Sequence, residues 1–136
     1  MKDPARFMLD TNTASFIVRG GNPKLQKRLR SVPVSALCIS TVTQGELLYG
    51  LARKPEATAL KKLVHSFLSR PDILPWDSSA AEHYGTLRAL LEKAGTPLGN
   101  LDTMIAAHAL SQKVALVTSD NAFKHVKALQ IQDWTV

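Results

Sequence analysis

The stretch FMLDTNTASFIVRGG, residues 7–21, contains the pattern that decides the fold. Three apolar residues are followed at once by Asp10, Thr11 and Asn12, whose short polar side chains accept hydrogen bonds from the free N–H groups at the start of a helix. The pair Gly20-Gly21 then favours the end of that helix. We therefore predict a short buried strand that leads directly into a capped helix.

The same alternation of short apolar and helical segments continues to the end of the chain. Further strands are predicted at 37–40, 73–76, 115–118 and 131–134, and further helices at 23–31, 44–51, 56–68, 78–94 and 101–110. Strands that alternate with helices are typical of βαβ crossovers, which cover both faces of a parallel sheet. We expect an α/β fold with a central, mostly parallel sheet of about five short strands flanked by helices.

Length and composition restrict the class of protein. The 136 residues suit one domain, 1–136, and the 45% of hydrophobic residues can build a core. The apolar runs are far shorter than the roughly 20 residues that a membrane span requires, so no membrane association is expected. The first residues lack the apolar core of a signal peptide, and the single cysteine excludes an intramolecular disulfide, so we expect a cytoplasmic protein.

The net charge of +6 is unevenly distributed. The segment from Thr11 to Gly45 contains no acid, and its basic residues include Lys24, Lys27, Arg28 and Arg30. Basic segments of this kind are usually solvated helix faces, but they also suit a polyanionic partner such as nucleic acid. Charge alone leaves both interpretations open.

Four acids, Asp10, Glu46, Asp102 and Asp120, lie at or shortly after the ends of predicted strands or early in the adjoining helices. Taken singly, each has a structural explanation as a helix cap or a turn residue, and Glu46 also matches a capping box with Thr43. In open α/β sheets, however, ligands bind beyond the carboxyl ends of the strands. The joint placement of these acids therefore predicts a functional site.

A cluster of carboxylates has specific chemical consequences. Two carboxylates about 4 Å apart repel each other by about 4 kcal/mol at an effective dielectric constant near 20, so the cluster requires protonation or a cation. Mg²⁺ and Mn²⁺ prefer such oxygen ligands, activate water and stabilise charge on a phosphoryl group. Together with the basic segments, the acids predict a metal-dependent nuclease.

Four motifs occur in order along the chain: LDTN at 9–12, STVTQGELLYG at 40–50, LDTMIAAHA at 101–109 and VTSD at 117–120. In this the sequence resembles a PIN domain, most closely the VapC-type toxins of bacterial toxin–antitoxin pairs, over almost its whole length. The resemblance implies a three-layer PIN-like fold. It also implies that Asp10, Glu46 and Asp102 are the three core metal-binding acids and that Asp120 is the fourth, more variable one.

The resemblance further implies supporting roles for Thr11, Asn12 and Thr118. Asn12 would orient Asp10 by a hydrogen bond, and Thr118 would support the fourth acid or contact the substrate. The activity implied is that of a Mg²⁺- or Mn²⁺-dependent endoribonuclease toxin that inhibits translation, with water as the nucleophile. A small antitoxin, an RNA substrate that is transfer RNA for several relatives, and a second copy of the chain are the implied partners. Lys24, Lys27, Arg28 and Arg30 are candidate RNA contacts.

Other functions remain as alternatives at this point. A phosphatase of the haloacid dehalogenase type would need a second acid two residues after Asp10, where this chain has Asn12. A response-regulator receiver would need adjacent acids after the first strand. A non-catalytic nucleic-acid-binding module would use the basic segments and would not need the four acids.

Several further residues are interpreted as structural. We predict that Cys38 and Trp76 pack in the interior, and that His108 is a helix-face residue or a buried, hydrogen-bonded one. Leu48 and Tyr49 are predicted to belong to the core or to a dimer contact.

Overall fold

The computed structural model describes residues 6–136. The strands are β1 (Phe7–Leu9), β2 (Leu37–Ser40), β3 (Asp72–Leu74), β4 (Ala115–Val117) and β5 (Ile131–Gln132). The helices are α1 (Thr11–Arg19), α2 (Pro23–Ser31), α3 (Thr41–Ala52), α4 (Thr58–Leu68), α5 (Ser78–Lys93) and α6 (Asn100–Gln112). The predicted elements are all present, with some ends moved by a few residues. Within 6–136, no helix is long and apolar enough to cross a membrane.

The five strands form one sheet in the order β3-β2-β1-β4-β5, and every pair is parallel. The central strand β1 pairs with β2 on one side, Phe7 opposite Leu37, and with β4 on the other, Leu9 opposite Val117. The chain therefore winds first in one direction from β1 and later in the other. This makes the carboxyl end of β1 the topological switch point, where α/β sheets bind their ligands.

The side chains of β1 alternate between two apolar layers, as the period of a strand requires. Phe7 and Leu9 pack with residues of α1 to α4, whereas Met8 packs with residues of α5 and α6. Helices thus cover both faces of the sheet, in agreement with the predicted three-layer arrangement. In α6, the small side chains of Ala106, Ala107 and Ala109 are fully buried, which lets this helix lie close to the sheet.

Burial departs from the sequence prediction at the margins of two helices. The helical spacing of Ala81, Tyr84, Leu87, Leu91 and Ala94 predicts one inward face of α5. Leu87 and Leu91 are buried there, but Ala81 and Ala94 are exposed. In α4, Leu63 is half exposed, although the helical spacing predicted it on the buried face. Only the centre of each apolar stripe contacts the sheet, and residues at its edges remain in solvent.

The start of α3 differs from the predicted capping box of Thr43 and Glu46. The helix begins at Thr41, and Ser40 caps it by accepting a hydrogen bond from the Val42 N–H at 3.0 Å. This prediction was wrong because strand β2 ends directly in the helix, so Glu46 lies more than a turn inside it. The Glu46 carboxylate is therefore not engaged in capping. Ser78 is also a candidate cap from its residue type, but α5 begins at Ser78 and is capped by Asp77.

Candidate active site

Asp10 stands at the carboxyl end of β1, is almost fully buried and caps α1. Its Oδ1 atom accepts a hydrogen bond from the Thr13 N–H at 2.8 Å, and its own N–H donates to the Val117 carbonyl at 3.1 Å. The Thr13 hydroxyl donates to the same carbonyl at 3.1 Å. These bonds connect the ends of β1 and β4 and hold the Asp10 carboxylate at the switch point.

Glu46 reaches the same edge from the second turn of α3. The Thr11 hydroxyl donates to its Oε1 atom at 2.6 Å and lies 3.3 Å from the Thr43 hydroxyl. Because a hydroxyl has one proton and the carboxylate accepts that of Thr11, Thr43 is the donor in the contact between the two threonines. Thr11, predicted as a supporting residue, thus positions the second acid.

Asp102 lies in the first turn of α6, on the opposite face of the sheet from α1 and α3. Burial raises the pKa of its carboxyl group above the ordinary value, and the negative charges of Asp120, Asp10 and Glu46 raise it further. Such repulsion acts over short distances. The other three predicted acids therefore lie near enough to Asp102 for their charges to act on it, and all four belong to elements that meet at the carboxyl-end edge of the sheet.

Asp120 follows β4 and caps a short 3-10 turn, Asn121–His125, through a 2.9 Å hydrogen bond from the Ala122 N–H to its Oδ1 atom. The buried Thr118 hydroxyl accepts a 3.0 Å hydrogen bond from the Asp120 N–H. Thr118 is therefore placed to orient the fourth acid, and a substrate contact stays a prediction.

One predicted supporting residue has a different environment. Asn12 is exposed, and the N–H of Thr13 takes the orienting role at Asp10 that the resemblance implied for Asn12. An N-cap carboxylate normally accepts from the second or third helical N–H, so the position of Thr13 was the available signal. Thr43, which contacts Thr11, was also missed as a site residue.

The chemistry of the cluster suits a hard divalent cation. Its donors are carboxylate oxygens, the ligands that Mg²⁺ and Mn²⁺ prefer, and a cation would relieve the repulsion at Asp102. In the present side-chain arrangement, no three acidic, histidine or cysteine side chains of residues 6–136 converge into a closed metal-binding group. Mg²⁺ commonly binds through one or two carboxylates and several waters, so the residues present fit such an ion.

The predicted basic contacts divide into two groups. Lys24, Lys27 and Arg28 line a cavity of about 600 Å³ beside the end of β5. The Arg28 guanidinium lies 5.6 Å from the centre of the Trp134 ring, within the range of a cation–π interaction. Arg30 lies apart, in a smaller, largely apolar pocket. None of the four acids lines the cationic cavity.

Most of the residues interpreted as structural from the sequence are buried or half-buried and contact other parts of the fold. Cys38 is fully buried, and burial raises the pKa of its thiol to about 11, so it is not a nucleophile. Trp76 is half-buried rather than interior; its ring packs edge-on against Tyr84, and its indole N–H donates to the Met104 carbonyl at 2.9 Å. Tyr49 and Leu48 are exposed, so their assignment to the core was wrong and a dimer contact stays a prediction.

His108 is buried, as one of the two predicted alternatives required, but its ring lies near the Pro75 backbone without reaching full hydrogen-bonding geometry. Neither ring nitrogen has a hydrogen-bond partner within residues 6–136. Burial lowers the pKa of the imidazole below its ordinary value, against weaker opposing effects of Asp77 and the Pro75 backbone. His108 is therefore a neutral interior side chain and not a metal ligand.

Fold and site together define an α/β domain with an acidic cleft at its topological switch point. Residues 7–129 match the PIN domain family model, and the chain belongs to that family. This membership confirms the resemblance and the fold class, and it rules out the dehalogenase-like phosphatase and the receiver.

The chain is similar to VapC proteins over nearly its full length. It is 37% identical to the tRNA(fMet)-specific endonuclease VapC of Salmonella typhimurium, in an alignment that covers 95% of this chain and 98% of the relative. It is 32% identical to ribonuclease VapC2 of Haemophilus influenzae, with the same coverage. Among solved structures, DNA-bound VapBC from Salmonella typhimurium superposes with a TM-score of 0.89 at 36% identity, over 96% of this chain and 99% of that one. VapBC2 of Rickettsia felis, bound to a promoter DNA fragment, gives 0.87 at 28% identity, over 94% and 98%.

Proposed function

We propose that this chain is a Mg²⁺- or Mn²⁺-dependent endoribonuclease that hydrolyses RNA phosphodiester bonds with water as the nucleophile. The observation that carries the proposal is the placement of Asp10, Glu46, Asp102 and Asp120 at the switch-point edge of the sheet, where burial and the charges of the other three acids raise the pKa of Asp102. A group of mutually repelling carboxylates is a feature of sites that bind a cation. The names of the VapC relatives support ribonuclease chemistry over other reactions of divalent metals.

In this mechanism the four acids would hold the ion, and the bound ion would acidify a water molecule and stabilise charge on the phosphoryl group. The other residues of the site position the acids. Thr11 holds the Glu46 carboxylate, the Thr13 N–H holds that of Asp10, and Thr118 fixes the backbone of Asp120. Because these contacts exist before substrate binds, the protein would not need to reorganise most of the cluster during the reaction.

We further propose that the nuclease acts as the toxin of a toxin–antitoxin pair and inhibits translation in the cytoplasm. The similarity to VapC chains solved as VapBC complexes supports a small cognate antitoxin. The tRNA(fMet)-specific relative makes initiator transfer RNA the first substrate to test. A homodimer built from residues 1–136 would place exposed apolar side chains such as Tyr49 and Leu48 in a protein contact.

A cleavage assay tests the proposed activity. Purified protein is incubated with initiator transfer RNA and with total RNA, in Mg²⁺, in Mn²⁺ and in EDTA. Cleavage should require the metal and should be lost in Asp10→Asn and in Asp102→Asn. Glu82→Gln, which removes an exposed acid of α5 away from the cluster, is the matched control and should cleave normally. Wild-type rates in both aspartate variants would show that the acid cluster is not the active site.

One alternative function rests on a specific observation. The cavity lined by Lys24, Lys27 and Arg28 contains one acid, Asp133, but none of the four site acids. Its lining has a net positive charge and would suit a module that binds nucleic acid without cutting it. Such a module would retain RNA in the presence of Mg²⁺ and leave it intact, and its binding would weaken steeply as salt rises. The same cleavage assay therefore separates the two functions.

A further inference from the structure

Thr43 has a buried hydroxyl beside the acid cluster that the proposed mechanism does not use. The residue lies on α3, about one turn before Glu46, and none of its surface is exposed. Burial of a hydroxyl costs free energy unless the group is hydrogen-bonded, and valine has nearly the same shape without that cost. A hydroxyl at this position therefore requires a partner.

The partner of Thr43 is a side chain of another helix and not the backbone of its own. Within residues 6–136, its hydroxyl has one hydrogen-bond contact, with the Thr11 hydroxyl at 3.3 Å. A threonine inside a helix commonly bonds to a backbone carbonyl three or four residues earlier. Thr103 of α6 does so, donating to the Gly99 carbonyl at 2.8 Å. The internal hydrogen bonds of α3 therefore do not account for the Thr43 hydroxyl.

The two threonine hydroxyls and the Glu46 carboxylate form a chain of hydrogen bonds with a fixed direction. The Thr11 hydroxyl lies 2.6 Å from the Glu46 Oε1 atom and donates its single proton there, because a carboxylate only accepts. Thr43 then donates to the Thr11 oxygen, which still has free lone pairs. We call Thr43, Thr11 and Glu46 the hydroxyl chain.

The donation from Thr43 restricts what the Thr11 hydroxyl can do. A hydroxyl rotates about its C–O bond and turns its proton to the acceptor that suits it. The proton of Thr43 occupies the space between the two oxygens, so the proton of Thr11 is directed to Glu46. A hydrogen bond received by a hydroxyl also polarises it and strengthens the bond that it donates. Thr43 thus acts on the Glu46 carboxylate through Thr11.

We propose that Thr43 is a positioning residue of the metal site, whose hydroxyl acts through that of Thr11 to hold the Glu46 carboxylate in the orientation that binds the divalent cation. The inference rests on the proposed metal-dependent nuclease function and adds to it a buried residue that touches neither the acids nor the substrate. Thr43 and Glu46 belong to α3, whereas Thr11 opens α1 directly after Asp10. The hydroxyl chain therefore also joins the two helices beside the first two acids.

Mn²⁺ titration calorimetry of the metal-free protein tests the hydroxyl chain without RNA. Thr43→Val removes the hydroxyl and keeps the shape, and it should weaken Mn²⁺ binding by about 3- to 10-fold, at or below the lower end of the range for direct partners of metal ligands. Thr43→Ser keeps the hydroxyl and should recover most of the affinity. Thr43→Ala should weaken binding as Thr43→Val does and replaces it if that variant does not fold. Urea unfolding in EDTA shows which variants are folded.

Thr41 provides a matched control on the same helix. Its hydroxyl accepts a 3.1 Å hydrogen bond from the Trp76 N–H and contacts no member of the hydroxyl chain. Thr41→Val makes the same chemical change and should lower stability through the unpaired N–H, but it should leave Mn²⁺ affinity unchanged. An equal loss of Mn²⁺ affinity in Thr41→Val and Thr43→Val would show that the packing of α3 sets the affinity, and would overturn the proposal.

A double-mutant cycle tests whether Thr43 acts through Thr11. In a Thr11→Val background the chain is already broken, so Thr43→Val has no further bond to Glu46 to remove. The double variant should bind Mn²⁺ within about two-fold of Thr11→Val alone, the usual error of such cycles. Losses that multiply, unchanged Mn²⁺ affinity in Thr43→Val, or no recovery in Thr43→Ser would each overturn the hydroxyl chain.

Cleavage of initiator transfer RNA is measured separately, so that the two proposals can fail independently. If the wild type binds Mn²⁺ and cuts no RNA, the proposed nuclease function fails and the hydroxyl chain is still decided by the Mn²⁺ affinities. If the wild type cuts RNA and Thr43→Val binds Mn²⁺ normally, only the hydroxyl chain is wrong. A wild type that neither binds Mn²⁺ nor cuts RNA would overturn both.

Discussion

The two halves of the acid cluster are held in different ways. Asp10 and Glu46, beside α1 and α3, each accept a hydrogen bond from a neighbouring threonine, one from a backbone N–H and one from a hydroxyl. Asp102, on α6 across the sheet, makes no side-chain hydrogen bond within residues 6–136, and burial and three nearby acids raise its pKa. The first half is positioned by the fold, whereas the second is destabilised by its neighbours.

This difference shows which interactions stabilise each half of the site and which oppose it. Hydrogen bonds in the α1 and α3 half serve the fold and the site together, because the Asp10 carboxylate also caps a helix. In the α6 half, repulsion opposes the ionised form and a cation would relieve it. The binding of metal should therefore stabilise the α6 half most. The following predictions separate the two halves, from the largest expected effect to the smallest.

The largest effect is expected on the cleavage rate, for which both halves of the cluster should be equally necessary. Asp10→Asn and Asp102→Asn should each reduce RNA cleavage in Mg²⁺ by more than about 100-fold, beyond the usual range for residues that only support metal ligands. Initial rates on initiator transfer RNA measure the effect. If one variant retained most of the activity, that half of the cluster would not contribute to the reaction.

The next effect concerns the α1 and α3 half alone. Thr11→Val removes the donor to Glu46 and should weaken Mn²⁺ binding and cleavage by about 10-fold, the lower end of the range for residues that orient metal ligands. Thr11→Ser restores the hydroxyl and should recover most of both. Mn²⁺ titration calorimetry supplies a readout independent of cleavage. Normal Mn²⁺ affinity in Thr11→Val would mean that Glu46 needs no positioning.

In the absence of metal, substitutions in the two halves should change the free energy of unfolding in opposite directions. Asp10→Ala removes the N-cap of α1 and should lower the free energy of unfolding by about 1 kcal/mol or more. Asp102→Asn removes a repelled charge and should raise it by a few tenths to about 1 kcal/mol. Urea unfolding in EDTA measures both. A destabilised Asp102→Asn would show that the carboxylate has a structural role.

The buried imidazole of α6 should make stability depend on pH. The pKa of His108 is lowered in the folded protein, so the unfolded chain takes up this proton first as pH falls below about 6.5. The stability contributed by neutral His108 is fully present above that pH and declines until the lower folded pKa is reached. His108→Leu should flatten this part of the profile in urea unfolding, whereas the exposed His65→Gln should leave it unchanged. A profile that His108→Leu does not alter would contradict the assignment.

The smallest effect is expected far from both halves, in the cationic cavity of α2. Replacing Lys24, Lys27 and Arg28 by Gln should weaken RNA affinity a few-fold and flatten its salt slope, because these residues line a cavity with net positive charge. Arg30→Gln alone should have no effect, because this residue lies in a different pocket. Fluorescence anisotropy with a short labelled polyuridine RNA, in an Asp10→Asn background that does not cleave it, measures both affinities. An unchanged triple variant would make this face a solvated surface.

Local patterns predicted much of this molecule because the interactions that they describe lie within a few residues. The apolar strand before Asp10 and the glycines after Arg19 are sufficient to mark β1 and α1, and the cap reaches only to Thr13. The same reasoning places Asp10 and Asp120 after strands, Asp102 in the first turn of α6 and Glu46 early in the helix that follows β2. The capping box at Thr43 failed because two overlapping sets of cap residues compete there, and the sheet decided that Ser40 ends the strand.

The sequence by itself determined the elements, the parallel sheet and the four acids that would meet at its edge. Tertiary structure decided how those acids are held and what surrounds them. The Thr11 to Glu46 hydrogen bond spans 35 residues. A surface groove beside it is lined by residues of α1, α3 and α4. The burial of His108 without a partner depends on how α6 packs. Such features depend on distances between segments remote in the chain, which only the pairing of β1 with β2 and β4 establishes.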